Sequence, residues 1–287
     1  VTRFETVTLL TDYGTADEFV GVLKSVIWSI APDVRIVDLC HEVEPFDVRS
    51  GGLMLARSAQ YLCPGIVLAV VDPGVGTARR GIAVEVGDGQ SVLIGPDNGL
   101  LAPAVAMVGG AGRVVELTNP DLQLPSPGPT FAGRDVFAPA AGHLCAGVPF
   151  EAFGPALDPL GLLPGLMPVC RDEDGGIEAE VLWADRYGNL QLNVDPDDLG
   201  AWGEQVAVVV GGARRVARRV ATFAELRTGE IGILVDSYGL PALVANRSSA
   251  GAELGARAGD GIRLEPLADD DGPRPAGEVI VPFGRRS

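Results

Sequence analysis

The sequence predicts an α/β protein: an N-terminal three-layer α/β domain with a mostly parallel sheet, followed by a smaller antiparallel, β-barrel-like C-terminal domain. Three observations carry this. A strand at residues 6–10, a helix-period apolar stripe (Phe19, Val22, Leu23, Val26, Ile27, Ile30) and a second strand at 34–40 form an opening β-α-β unit. A buried apolar run, Gly65-Ile66-Val67-Leu68-Ala69, feeds into Val70-Val71-Asp72-Pro73-Gly74-Val75-Gly76, a strand that ends at a carboxylate and a tight turn. Beyond residue 176 helical stripes almost vanish, and strand-like runs recur between Gly and Asp turns.

In chain order, Thr11-Asp12-Tyr13-Gly14 turns out of the first strand. Thr15-Ala16-Asp17-Glu18 then reads as a capping box, with Thr15 as N-cap and Glu18 at N3. Ala31-Pro32-Asp33 stops the first helix. A second helix is expected to run to about Tyr61. Strands follow at 81–86 and 91–94, and Gly95-Pro96-Asp97-Asn98-Gly99 turns into a short helix. After a strand at 113–117, the Pro-rich loop 119–129 is too long for a simple connector. Thr130-Phe131-Ala132-Gly133-Arg134-Asp135 opens a helix that runs to about Ala146. Pro164, Pro168, Gly175 and Gly176, with Arg171-Asp172-Glu173-Asp174, mark a linker. The expected division is 1–165, linker 166–176, and 177–287. Strands in the last part are expected at 177–183, 190–194, 206–210, 231–235, 243–245 and 261–264, with a helical turn near 196–202. No internal repeat and no low-complexity tract is read.

Composition narrows the function classes. A chain of 287 residues with 47% hydrophobic content can bury a large core. No apolar run reaches the roughly 18 residues that cross a bilayer, and Val1-Thr2-Arg3-Phe4-Glu5 lacks a signal-peptide pattern, so a cytoplasmic enzyme is expected. With 22 basic and 38 acidic side chains the net charge is −16, which opposes nucleic acid or an anionic membrane as partner. Four widely spaced cysteines (Cys40, Cys63, Cys145, Cys170) and only two histidines make a zinc site unexpected.

Two aspartates stand out. Asp72 follows a buried strand, where open α/β sheets place their ligand crevice, and Arg79 can fold back over the Gly74–Gly76 turn to meet it. The plainer alternative is a surface β-turn with a salt bridge. Asp12 follows the first strand, where an acidic side chain can accept hydrogen bonds from a ribose diol; a turn-forming Asx residue is the alternative. The glycine pattern that cradles phosphates is missing, which favours a nucleoside without phosphates over a dinucleotide.

With these residues the chain resembles the S-adenosyl-L-methionine (SAM) hydroxide adenosyltransferases, which hydrolyse SAM to adenosine and methionine and share a fold with fluorinase and chlorinase. The motifs T-D-Y-G-x-x-D, V-D-P-G-V-G-T-x-R, F-x-G-R-D-x-F-A-P, D-R-Y-G-N and S-Y-G occur in order from Thr8 to Leu264. The resemblance implies a homotrimer with each substrate between the N-domain of one subunit and the C-domain of its neighbour. It assigns Asp12 to the ribose hydroxyls and Phe46 to packing on the substrate (an ordinary core Phe is the alternative). It gives Asp185 to the methionine ammonium, Tyr187 to an adenine stack, Asn189 to the adenine edge and Ser237 to the methionine carboxylate. Asp17 falls at the amino-acid end, or serves as a helix N-terminal charge.

Around the attacking water the resemblance implies an Asp, Arg and His trio. Asp72 and Arg79 match the first two, but Ala132 occupies the position of the histidine, and His143 is read as structural. SAM hydrolysis by in-line attack of water on ribose C5′ is therefore expected, impaired by Ala132. The alternatives are a chlorinase-like halogenase, which Gly133 resembles and Asp72 opposes, and a non-catalytic protein that binds SAM or adenosine. No metal or redox cofactor is implied.

Overall fold

The computed structural model describes residues 4–267; Val1-Thr2-Arg3 and the end of the expected C-terminal domain, 268–287, lie outside the described residues. The chain divides into two compact units, one ending at Met167 and the other beginning at Pro168.

The first unit is built on one six-stranded sheet in the order β2-β1-β3-β5-β4-β6. Its strands are β1 (Thr6–Thr11), β2 (Arg35–Cys40), β3 (Ile66–Val70), β4 (Gly81–Val86), β5 (Ser91–Pro96) and β6 (Val114–Glu116). β2, β1, β3 and β5 pair in parallel, and β4 runs against both β5 and β6. Strand alternation splits the core in two. Ile66, Leu68 and Val70 join Leu23 and Ile27 of α1 (Phe19–Ile30) and Leu144 of α4 (Ala138–Cys145). Val67, Ala69 and Val71 join Leu55 of α2 (Val48–Ala59) and Ala104 of α3 (Ala102–Met107). A strand buried on both faces reads as a near-continuous apolar run, which is why β3 is unbroken.

One local expectation fails here. α1 begins at Phe19 with Glu18 as N-cap and no side-chain capping bond. The Thr15 hydroxyl donates instead to Glu42 Oε1 at 3.2 Å, so 15–18 form a bend rather than a capping box. Asp47 does cap α2, accepting from the Ser50 N–H at 2.9 Å.

In the second unit, β14-β10-β11-β12-β13-β9-β8 follow one another and β14 also pairs β8, closing a seven-strand barrel; β7 lies outside on β8. The strands are β7 (Arg171–Glu173), β8 (Gly176–Ala184), β9 (Leu190–Leu192), β10 (Gln205–Val210), β11 (Ala213–Arg219), β12 (Ile231–Val235), β13 (Pro241–Ala245) and β14 (Gly261–Pro266). All pairs are antiparallel except β11 with β12. Val181, Leu190, Val206, Val208, Leu243, Ile262 and Leu264 fill the interior. A short α5 (Ala250–Leu254) was not expected from the sequence; Ser249 caps it, accepting from the Ala252 N–H at 3.0 Å.

Candidate active site

β1 and β3 are neighbours, with Thr11 opposite Val70. From β1 the chain crosses through α1 to β2 on one side, then through α2 on the other face to β3. Strand order reverses between β1 and β3, and such a switch opens a crevice at the carboxyl ends of the strands. Asp12 follows β1 directly, and Asp72 lies two residues beyond β3.

At this crevice Arg79 grips Asp72. Its Nε stands 2.9 Å from Oδ1 and 3.0 Å from Oδ2, and Nη2 also donates to Oδ2. The side chains are 6% exposed for Asp72 and 16% for Arg79, so this is not the solvated bridge of a surface turn. The guanidinium also lies 5.2 Å from the centre of the Phe137 ring. Behind the turn, Asn98 Nδ2 donates to the Val71 carbonyl at 2.9 Å and fixes the backbone that presents Asp72. Gly95–Gly99 is thus a buttress as well as a turn: Asp97, buried, accepts from Arg80 Nε at 3.0 Å and from the Leu163 N–H at 2.9 Å.

Asp12 Oδ2 accepts the Phe46 N–H at 3.0 Å. Phe46 has φ +69°, uncommon for a residue with a side chain, and the Asp12 bond holds it there. The residue is 73% exposed, unlike an ordinary core Phe. Asp17 is exposed in the bend before α1, outside the first helical turn.

Ala132 and Gly133 open a π-helical turn over Gly133–Phe137, in which the Ala138 N–H reaches the Gly133 carbonyl. Such turns are rare and gather at functional sites. The loop before this segment passes close to the Asp72 loop: the Pro129 carbonyl stands 3.0 Å from where a Cβ on Gly76 would be. Tyr13, which the sequence did not single out, also belongs here. Burial, then the charges of Asp12 and Asp72, raise its phenol well above the ordinary range, with Arg79 opposing.

In the second unit, Asp185, Asn189 and Ser237 line one cavity of about 440 Å³ with Trp183, Gln191 and Tyr238. Two turns shape it, and they are the same turn used twice. Asp185 Oδ1 accepts the N–H groups of Tyr187 and Asn189, both at 2.9 Å, and Gly188 N–H returns to the Asp185 carbonyl. Asp236 Oδ1 accepts from Tyr238 at 2.8 Å and Leu240 at 3.2 Å, and Gly239 N–H returns to the Asp236 carbonyl. The glycines sit at φ +82° and +84°. Gln191 of β9 and Ala242 of β13, each six residues past its aspartate, face each other across the strand pair. The two turns share a D-x-Y-G sequence, too short to count as an internal repeat.

Asp185 Oδ2 also takes the Asn189 amide at 2.7 Å, fixing that amide's orientation. Tyr187 is 73% exposed at the tip of its turn. Gln191 is a further residue that sequence reading missed. Buried at 2% exposure, it donates Nε2 to Asp236 Oδ2 at 2.6 Å, and its Oε1 has no hydrogen-bond partner. An amide between Leu190 and Leu192 in a buried strand was the available signal. Among the described residues no group of three or more His, Cys, Asp or Glu could hold a metal ion, and no helix is long and apolar enough to cross a membrane.

The N-terminal domain of the SAM hydroxide adenosyltransferases matches residues 7–154, and the C-terminal domain of the same family matches residues 179–263. This chain belongs to the SAM hydroxide adenosyltransferase family. A protein of Salinispora tropica named (R)-S-adenosyl-L-methionine hydrolase is 43% identical over 258 residues, covering 90% of this chain and 97% of the relative. A Thermus thermophilus protein of the same name is 40% identical, with 89% and 97% covered. More distant is a fluorinase of Actinopolyspora mzabensis, 26% identical with 90% and 96% covered. Among solved structures, an uncharacterized conserved protein from Thermotoga maritima superposes with a TM-score of 0.83 at 34% identity, covering 90% of this chain and 99% of that one.

Proposed function

We propose that this family member hydrolyses SAM to adenosine and L-methionine by in-line attack of water on ribose C5′. The observation that carries the reading is the largely buried Asp72–Arg79 pair beside Asp12 at the β1/β3 crevice. The new C5′–O bond forms as the C5′–S bond breaks, and the sulfonium leaves as neutral methionine thioether. No general acid is needed for that departure. Catalysis then consists of holding one water in line, and Asp72 accepts its hydrogen bond and then its proton. Asp12 has one carboxylate oxygen committed to Phe46 and the other for a ribose hydroxyl. We assign Phe46 to the substrate's face and Asp17 to its amino-acid end. Asp185, Tyr187, Asn189, Gln191 and Ser237, on and around the two turns, are assigned to the adenine and methionine ends. The reading carries with it a homotrimer with sites shared between subunits, which light scattering on the purified protein tests. Adenosine release from SAM, followed by liquid chromatography for this chain and for Ala132→His, tests the activity; no product from either overturns it.

Ala132 favours one second reading, a protein that binds SAM or adenosine without turnover. Calorimetric binding with no product after long incubation is the result that would select it.

A further inference from the structure

We propose that the Tyr13 hydroxyl is the second protein group on the attacking water, opposite Asp72, and that position 133 is glycine because this hydroxyl occupies its side-chain space. The inference rests on the hydrolase reading and adds to it a residue that the Asp, Arg and His pattern does not contain.

The location of the hydroxyl is fixed by its surroundings. A Cβ on Gly133 would lie 2.3 Å from Tyr13 Oη and 3.2 Å from Cζ. No Cβ is found that close to another atom, so the hydroxyl and a side chain at 133 exclude each other. The ring packs against Phe19 and Phe131, each with centroids 5.7 Å away, and Phe19 and Phe131 meet edge to face at 5.0 Å. The backbone is held from behind. Tyr13 N–H donates to Thr11 Oγ1 at 3.2 Å, that oxygen meets Nδ1 of the buried His41 at 2.9 Å, and Gly14 N–H reaches the His41 carbonyl at 2.7 Å. His41 Nε2 is in turn 3.0 Å from Asp38 Oδ1, and Asp38 Oδ2 is 2.6 Å from Lys24 Nζ.

A phenol anchored in this way is neutral at working pH and keeps both hydrogen-bonding functions. It lies within the field of Asp12, Asp72 and Arg79, yet no described protein group hydrogen-bonds to it. A nucleophilic water must free one lone pair for carbon while both of its protons are held. Asp72 takes one O–H. Tyr13 Oη accepts the other and keeps its own proton. Tyr13 neither gains nor loses a proton over the reaction; the proton shed by water goes to Asp72. Ala132, beside Gly133, offers no polar group for this purpose.

Three variants test the inference. Tyr13→Phe keeps the ring and removes only the hydroxyl, and should lower kcat about 10- to 100-fold while KM and adenosine affinity stay within about twofold. Gly133→Ser alone collides with the hydroxyl and should be impaired. Tyr13→Phe with Gly133→Ser, where the new hydroxyl enters the vacated space, should regain at least about tenfold over Tyr13→Phe. Relief of that collision would by itself reverse the sign of the coupling; a role for the hydroxyl is read from kcat rising above that of Tyr13→Phe with KM unchanged. Unchanged kcat in Tyr13→Phe, or no recovery in the double variant, overturns the inference and leaves the hydrolase reading intact if the parent releases adenosine. Should the parent release none, a crystal structure with adenosine decides: one ordered water within hydrogen-bond reach of both Asp72 and Tyr13 Oη supports the assignment, and a water held by Asp72 without Tyr13 refutes it.

Discussion

Gly188 and Gly239 close two copies of one turn at nearly the same backbone angle, yet only Gly188 has a neighbour in the way. A Cβ there would meet Ser249 Oγ at 2.0 Å and Ser249 Cα at 2.9 Å, whereas nothing lies within 4 Å of the equivalent atom at Gly239. Gly239→Ala should therefore cost only the left-handed strain, about 1–2 kcal/mol. Gly188→Ala must also displace the cap of α5, and should cost at least about 1 kcal/mol more. Urea unfolding of the two variants measures the difference, and equal midpoints would contradict the structural account.

Removing the charge of Asp72 without changing its shape isolates its role. Asp72→Asn should reduce adenosine release at least about 100-fold, the scale of one general base, with SAM affinity little changed. Retention of most of the rate would move the water elsewhere.

Restoring an imidazole at the start of the π turn should help. Ala132→His is expected to raise the hydrolysis rate at least about tenfold. Chromatographic assay at matched enzyme concentration checks it.

Chloride should not replace water in this site. A carboxylate 4 Å from a halide repels it by about 4 kcal/mol at an effective dielectric near 20. Incubation with SAM and high chloride is expected to yield adenosine and no 5′-chloro-5′-deoxyadenosine.

His143, near the end of α4, gives a pH dependence of stability. Burial lowers its pKa from 6.5, so the folded state favours the neutral ring. Its contribution is complete above pH 6.5 and is lost as the pH falls below that value. Urea midpoints between pH 7.5 and 5.5 should fall less steeply for His143→Gln than for the parent.

The β1/β3 crevice was legible in the sequence because β3, buried on both faces, is apolar throughout, and the aspartate that follows it stands out. β11 was not legible. Its Ala-Arg-Arg-Val-Ala-Arg-Arg run buries only Ala217, and it is a strand because β10 pairs with it from Ala213 to Arg218. Arg219 then gives Nη1 to the carbonyls of Leu199 and Trp202, a use of arginine that composition does not announce. β7 is exposed throughout and exists through its pairing with β8, so its charged residues read as linker. Thr15 failed as a cap because its partner is Glu42, distant in sequence. Tyr13 was invisible for the same reason: only the fold reveals that its hydroxyl stands over Gly133.

Closure of the barrel through β14 and β8 also dictates an order of events during synthesis. Ile177 pairs Asp172 of β7 on one side, but its partner across the closure, Leu264, is made last, so β8 and β10 each leave the ribosome with an unsatisfied edge. A chain stopped short of β14 would display both edges at once. Premature termination anywhere between β12 and β14 should thus produce a sticky, chaperone-dependent fragment rather than a shorter soluble domain.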